Sequence, residues 1–590
     1  MSETESPPAI DRAWWKESVV YQIYPRSFND TTGDGVGDIP GIIEKVDYLD
    51  ELGVDIIWLN PVYESPNADN GYDIADYRSI MDEFGTMDDW ERLLDALHDR
   101  DIRLIMDLVV NHTSDEHEWF LKSRVDEEYR DYYIWRDGRT DVDGFTGFNG
   151  PEGEAPPNEW ESFFGGPAWA YDEELEKWYM HLFDRKQPDL NWENPEVREE
   201  VFDMMQWWLE KGIDGFRMDV INLISKPDSV VHHDPPTNES PMWDSIDGPR
   251  VHEFLAEMHE EVLAGEDAFT IGEMIGQHMS METAKRYVGR DGPLSTLFHF
   301  DHVLLDNGGE IWERSDWGLH DLRGVLTRWQ DGLADDGWNS IYLSNHDQPR
   351  LVSRFGNDDE YRRESATLLA TLIFTLRGTP YIFQGAEIGM TNYPFDSLEE
   401  FRDVETINPV TSALENGTID SFESVKDALR HNSRDNARTP MQWDNTENGG
   451  FTDGEPWIGV NPNYEEINVV AAREDPDSVF NYYRELIDLR ADNDVMVYGQ
   501  YRLLAGDHDH IWAYTRSFED SHLLVLLNFA DHDGAIELPD HELPFDADSV
   551  EVERFVGNYD PLDGELEAVG HRYAELRPWE ARVYAIEESQ

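Results

Sequence analysis

Eight short runs rich in β-branched and aromatic residues constrain this chain more than anything else in it. They lie at 19–24, 55–60, 103–109, 215–219, 269–272, 294–300, 340–344 and 381–383. Between them stand amphipathic stretches such as 42–52, 90–97 and 197–209, whose apolar residues recur at three and four. A period near two switching to a period near 3.6, eight times over, predicts strands alternating with helices. The fold class that follows is α/β: a closed (β/α)8 TIM barrel, whose functional residues gather at the C-terminal ends of the strands.

Two intervals are too long for barrel loops. Residues 111–185 carry Gly, Pro and aromatics without a long helical period and predict a small domain inserted after the third strand. Residues 390–460 follow the eighth strand and include Asp444-Asn-Thr-Glu-Asn-Gly-Gly-Phe451, a loop expected near the barrel mouth. Beyond residue 500 the pattern turns to alternating strands at 511–515, 522–528, 550–555 and 582–586, which predicts a C-terminal antiparallel β-sandwich. The expected division is therefore 1–110 and 186–500 for the barrel, 111–185 for the insert and 501–590 for the sandwich. There are no internal repeats.

Charge narrows the function classes. Asp and Glu number 126 against 46 Lys and Arg, a net of −80 with a pI near 4.3. Arg supplies 37 of the 46 basic residues, and the acidic excess runs along the whole chain. Nucleic acid and anionic membranes are poor partners for such a surface. Self-repulsion on this scale is relieved when the screening length falls to about 3 Å at 1 M salt. We therefore expect the cytoplasm of an extreme halophile. With no cysteine there is no disulfide or thiol chemistry. The segment Met1-Ser-Glu-Thr-Glu-Ser-Pro-Pro8 is acidic, lacks an apolar run and reads as a flexible lead-in rather than a signal peptide. No stretch is apolar for long enough to form a membrane helix.

Three of the apolar runs end in carboxylates. Asp219 closes Gly215-Phe-Arg-Met-Asp219, Glu273 closes Thr270-Ile-Gly-Glu273, and Asp347 follows Leu343-Ser-Asn-His346. Converging carboxylates at strand ends suit acid/base and nucleophilic work on a glycosidic bond. Arg217, two residues before Asp219 on the same strand, points to the same side and favours the ionised nucleophile.

These motifs stand in a longer series: Gln22-Ile-Tyr-Pro-Arg-Ser-Phe28, Asp69-Asn-Gly-Tyr72-Asp73, Asp107-Leu-Val-Val-Asn111-His112, Gln187-Pro-Asp-Leu-Asn191 and Ala437-Arg-Thr-Pro-Met-Gln-Trp443. In this order they resemble the α-amylase superfamily of glycoside hydrolases, in its α-glucosidase and oligo-1,6-glucosidase branch. The resemblance implies that Asp219 is the nucleophile, Glu273 the general acid and base, and Asp347 the third carboxylate, which holds sugar hydroxyls. It also implies that His112, His346, Asp69, Tyr72 and one of Arg434 and Arg438, with Arg434 favoured, hold the terminal glucose. Phe183 and Gln187 match subsite-lining residues. Val220, followed by Ile-Asn, resembles enzymes that accept α-1,6 bonds, where Thr or Ala accompanies α-1,4.

Asp30-Thr-Thr32-Gly-Asp34-Gly-Val36-Gly-Asp38 presents oxygens at every second residue and lacks the twelfth-position glutamate of an EF-hand. In this branch such a loop implies a structural Ca²⁺ held by Asp30, Thr32, Asp34, the Val36 carbonyl and Asp38; no organic cofactor is implied. The expected activity is that of a retaining, exo-acting α-glucosidase on short oligosaccharides of maltose or isomaltose type, as a monomer or dimer. A trehalose synthase or sucrose isomerase shares the same motifs and is the alternative. A non-catalytic amylase-like transporter subunit is disfavoured, because such subunits carry a membrane helix and usually lose the carboxylates.

Overall fold

The structure is a computed structural model that describes residues 12–140, 150–151, 154–232, 242–545 and 550–588. The acidic lead-in at 1–8 lies outside the described residues. Each of the eight expected runs carries a strand: β1 (Val20–Ile23), β2 (Ile56–Leu59), β3 (Arg103–Val109), β4 (Gly215–Asp219), β5 (Phe269–Met274), β6 (Thr296–His299), β7 (Ser340–Ile341) and β8 (Thr379–Phe383). They form one parallel sheet in the order β6-β5-β4-β3-β2-β1-β8-β7. A parallel bridge between Leu297 and Asn339 joins the two edges, and Thr296 Oγ1 donates to Trp338 O across the same seam at 3.0 Å. The barrel is closed there.

Inward side chains fill it. Val20, Ile56, Trp58, Ile105, Ile271, Phe298 and Tyr381 form one buried cluster at the barrel centre, as layered packing in such a barrel requires. Gly215 opens β4 at φ +154°, and a Cβ there would lie 1.9 Å from Phe269 O, so only glycine lets β4 and β5 approach this closely. β7 is shorter than its apolar run. Beyond Ile341 the backbone serves local contacts: Tyr342 O lies 2.7 Å from His302 Nε2, and Tyr342 Oη donates to His299 O.

The helices follow their sequence cues. Met87–His98 begins with a capping box between Thr86 and Asp89. Pro195–Lys211 has Asn194 as its cap, Pro at its start and Gly212 in the left-handed conformation at its end. The stretch expected as one helix at 42–52 is divided into Ile39–Glu44 and Val46–Leu52, with a break at Lys45. The Lys45 ammonium stands 4.3 Å from the centre of the Trp443 ring, a contact no local periodicity reveals.

After β3 the insert forms a three-stranded antiparallel sheet in which Lys177–Met180 lies between Trp135–Arg136 and Trp169–Asp172. Its core, with Trp160, Trp169, Trp178 and Leu182, also takes in Val220 and Leu223 from the loop after β4. The insert therefore packs directly against the chain that follows Asp219. At the C-terminus, β9 (Gln500–Leu504), β10 (Ile511–Phe518), β11 (Ser521–Asn528), β12 (Val550–Gly557) and β13 (Ala581–Glu588) form an antiparallel sheet in the order β9-β10-β11-β13-β12. A strand pair, Gly534–Glu537 with Tyr573–Leu576, packs over it to make the sandwich.

The loop at 30–38 is closed by its own donors. Asp30 Oδ1 accepts from the N–H groups of Thr32 and Gly33, and Asp30 Oδ2 from Gly35, each at 2.8 Å. Asp34 Oδ1 accepts from Val36 N at 3.0 Å, and Asp38 takes Thr31 and caps the helix at Ile39–Glu44. Among the described residues no group of three or more Asp, Glu, His or Cys side chains is arranged as a metal cage. The 444–451 loop lies against this one, with Phe451 O accepting the Asp30 N–H at 3.0 Å. No described helix is long and apolar enough to cross a membrane.

Candidate active site

The C-terminal ends of the strands open into a cavity of about 710 Å³. Of the residues singled out in the sequence, Asp69, Tyr72, His112, Phe183, Asp219, Val220, Glu273, Asp347 and Arg434 line it. Arg217, Gln187 and His346 stand one layer behind. Arg217 holds Asp219, Gln187 Nε2 donates to Asp69 Oδ2 at 3.0 Å, and His346 Nε2 lies 3.0 Å from Asp347 Oδ2.

One guanidinium organises the floor. Arg217, 1% exposed, places Nη1 2.6 Å from Asp219 Oδ1 and 2.7 Å from Asp107 Oδ1, and Nη2 2.5 Å from Glu273 Oε1. Strand β4 supplies Arg217 and Asp219 from the same face, and β5 beside it supplies Glu273. The second Glu273 oxygen accepts the main-chain N–H of Val220 at 3.0 Å. Val220 stands at φ +38° and ψ +38°, a conformation that costs a β-branched residue strain.

Three carboxylates share one buried cation. Burial, with Glu273 and Asp107 adding to it, pushes Asp219 well above the ordinary carboxylate range, while Arg217 pulls it down. Asp347 goes the other way. His346, Arg434 and Arg438 outweigh burial and hold it well below the usual range.

Tyr72 is covered on one face by His346, with ring centres 5.3 Å apart and planes within 11°. Only its opposite face is left to meet a sugar. Burial pushes His112 down to about 4, so its imidazole is neutral; Nδ1 lies 3.1 Å from Asn111 Nδ2 and Nε2 lies 3.2 Å from Tyr72 O. Burial pushes Asp69 up to about 7, with Arg434 and Arg438 opposing it.

Other participants ranked second in the sequence or carried no signal there. Arg438 also lines the cavity and meets Asp347 Oδ1 at 2.8 Å, closer than the 3.3 Å from Arg434 Nη1, so both arginines enter the site. Asp403 and Glu405, from the long segment after β8, hold Arg434 at 2.5 Å and 2.7 Å. Lys226, 2% exposed, sits on three oxygens: Leu223 O at 2.6 Å, Asn111 Oδ1 at 2.7 Å and Asp189 Oδ2 at 2.9 Å. Asp107 was visible only as part of its motif. Phe163, Phe164 and Trp243 form an aromatic rim.

Residues 22–499 match the model of the alpha amylase catalytic domain. An oligo-1,6-glucosidase of Parageobacillus thermoglucosidasius is 53% identical over 587 residues, covering 98% of this chain and 100% of that protein. The crystal structure of trehalose-6-phosphate hydrolase from Bacillus licheniformis superposes with a TM-score of 0.89 at 45% identity, covering 98% of this chain and 100% of the other. The isomaltulose synthase of Protaminobacter rubrum superposes with a TM-score of 0.88 at 42% identity and the same coverage. With three carboxylates converging on a closed parallel barrel and this match along most of its length, the chain belongs to the alpha-amylase family of enzymes.

Proposed function

We propose that this protein is a retaining, exo-acting α-glucosidase that releases glucose from the non-reducing end of short oligosaccharides, with α-1,6 bonds among its substrates. The observation that carries the reading is the pairing of Asp219 and Glu273 on adjacent nitrogens of one buried guanidinium. That suits the roughly 5–5.5 Å separation of a retaining pair. Asp219 attacks the anomeric carbon as the glycosidic C–O bond breaks, giving a glycosyl ester. Glu273 delivers its proton to the departing oxygen, then takes one from the water that opens the ester. Asp69, His112, Asp347 and Arg434 close the inner end of the cavity around a terminal sugar, which favours exo action.

The linkage reading is supported by Val220 beside the nucleophile and by the oligo-1,6-glucosidase relative. An isomerase reading is favoured by the isomaltulose synthase structure, since both reactions pass through the same glycosyl ester. A phosphorylated disaccharide is less well served. Among the described residues lining the cavity the cations are Arg434 and Arg438, and both are engaged by Asp347 and Asp403. Product analysis on isomaltose, maltose, sucrose and trehalose in high salt is the test. Glucose as the dominant product from isomaltose supports the reading; trehalose from maltose, or isomaltulose from sucrose as the main product, overturns it.

The remaining expectations rest on charge and donor chemistry. A net of −80 supports a cytoplasm of molar salt and makes nucleic acid a poor partner. For Ca²⁺, the 30–38 loop offers only hard oxygen donors; burial raises Asp38, and the nearby charge of Asp30 adds a smaller push in the same direction. A cation at Asp30, Thr32, Asp34, Val36 O and Asp38 would relieve that repulsion. A melting temperature lowered by chelation and restored by Ca²⁺ supports this site.

A further inference from the structure

A second, smaller cavity of about 230 Å³ lies behind the wall of the active cavity and shares Phe164 and Phe183 with it. It is below the roughly 300–1,000 Å³ of a drug-sized pocket, so its natural guest is one small ring. Its lining is unusual for a packing defect. His181, 6% exposed, has Nδ1 2.8 Å from Phe183 O, which places the N–H on Nδ1 and leaves Nε2 as an acceptor. Nε2 has no partner among the described residues. Burial pushes His181 below its ordinary range, so the acceptor persists at neutral pH. Asp184 spends Oδ1 on Lys186 N–H at 2.8 Å and keeps Oδ2. Arg185 and Asn408, both exposed, stand at the same cavity, and their side chains make no hydrogen bond among the described residues. Tyr171, packed edge-on against Trp178 at 5.4 Å, supplies an aromatic face.

Acceptors, donors and an aromatic face around one ring-sized space are the recognition chemistry of a neutral pyranose. We propose that this cavity is an accessory site for a single hexopyranose, with glucose as the sugar; that identity rests on the glucosidase reading. Hydroxyls donate to His181 and Asp184 and accept from Arg185 and Asn408, while the C–H face lies on Tyr171. Two contacts tie the site to catalysis. Phe164, in the shared wall, lies 5.4 Å under the Arg434 guanidinium. Asp184 N–H donates to Gln187 Oε1 at 2.9 Å, and Gln187 holds Asp69. The occupant is either free glucose released by the reaction or the distal unit of a longer isomalto-oligosaccharide.

The test is calorimetric titration of glucose into the intact protein whose active cavity is saturated with 1-deoxynojirimycin. One glucose bound per chain, with affinity falling about tenfold in each of His181→Leu, Tyr171→Ala and Asn408→Ala, is the expected result. No binding once the active cavity is filled, or equal affinity in all three variants, overturns the site. This readout needs no turnover, so it fails separately from the glucosidase reading. Kinetics then identify the source. Free glucose gives mixed inhibition in the parent protein that becomes purely competitive in the variants. A distal unit gives a selective fall in kcat/KM for isomaltotriose with isomaltose unchanged. Neither pattern, in a variant that has lost glucose binding, overturns the link to catalysis.

Discussion

Val220 donates its main-chain N–H to Glu273 Oε2 at 3.0 Å from a left-handed conformation, φ +38° and ψ +38°. Holding a β-branched residue there costs on the order of 1–3 kcal/mol. Burial of its side chain in one cluster with Leu182 and Trp160 of the insert and Leu223 of its own loop offsets that cost. The same residue thus aims the Glu273 carboxylate, the proposed acid and base, and lines the cavity beside it. Val220→Thr keeps the branch and the amide but exchanges a methyl for a hydroxyl. The ratio of kcat/KM on isomaltose to that on maltose should fall by about 10- to 200-fold. An unchanged ratio would sink the linkage argument and leave the broader glucosidase reading standing.

The catalytic pair gives a sharper prediction, because its two carboxylates fail differently. Asp219→Asn removes the nucleophile and should abolish turnover of every glucoside, while its amide still fits beside Arg217. Glu273→Gln blocks protonation of a natural leaving group, so isomaltose hydrolysis should be lost. A substrate with an activated aryl leaving group should still glycosylate Asp219 and give a burst without steady turnover. Near-normal hydrolysis of isomaltose by either variant refutes the assignment.

Asp69 makes stability and activity depend on pH. Its folded value, pushed up to about 7, lies above the unfolded value near 4. The stability it contributes is fully present below about pH 4 and is lost as pH rises through about 7. At about 1.4 kcal/mol per unit the loss is on the order of 4 kcal/mol before partial solvation is counted. Asp69→Asn should therefore flatten the decline in melting temperature between about pH 4 and 7. If ionised Asp69 grips the terminal glucose, kcat/KM should also show an ascending limb near pH 7 that the variant lacks. An identical pH profile in the variant would dismiss both effects.

How much of this was legible in the sequence depends on how local each signal is. The eight strands were readable because burial on both faces selects β-branched and aromatic residues within each run. The three carboxylates were readable because each closes such a run. Asp403 and Glu405 were not, since an acidic cap and first-turn residue of the helix Val404–Asn416 look like ordinary helix-start chemistry. The Lys45 break and the closer approach of Arg438 to Asp347 were equally hidden, because each depends on a contact between residues far apart in the chain. Lys226 belongs with them: it follows the β4 motif by a few residues but acts on Asn111 and Asp189.

That lysine ties the nucleophile loop to the insert. Lys226 is buried with Asp189 at 2.9 Å and Asn111 at 2.7 Å, and Asn111 in turn meets His112. Removing one partner of a buried pair strands the other charge and costs about 3–5 kcal/mol. Lys226→Met should lower stability by that amount and raise KM through His112. Adding Asp189→Asn should recover part of the stability, because the stranded charge is gone. A Lys226→Met protein that melts with the parent would mean that Asp189 takes up a proton at no cost, against the ion-pair account.

The last prediction concerns salt. Carboxylates exceed cations by 80, so most of them have no partner, and repulsion among them sets the stability at low ionic strength. Screening shortens from about 10 Å at 0.1 M to about 3 Å at 1 M. Surface ion pairs weaken over the same range, but each is worth only about 0–1 kcal/mol. The buried bridges of Arg217 lie beyond the reach of mobile ions. The repulsive contribution is the larger, and the melting temperature should climb from 0.1 to 3 M KCl, with activity following it. Trimethylamine N-oxide is excluded from protein surfaces without screening charge, so an iso-osmolar series of it separates the two causes and should reproduce only a minor part of the gain. A melt unchanged between 0.1 and 3 M KCl, or matched fully by trimethylamine N-oxide, would remove charge screening as the reason this chain carries so many carboxylates.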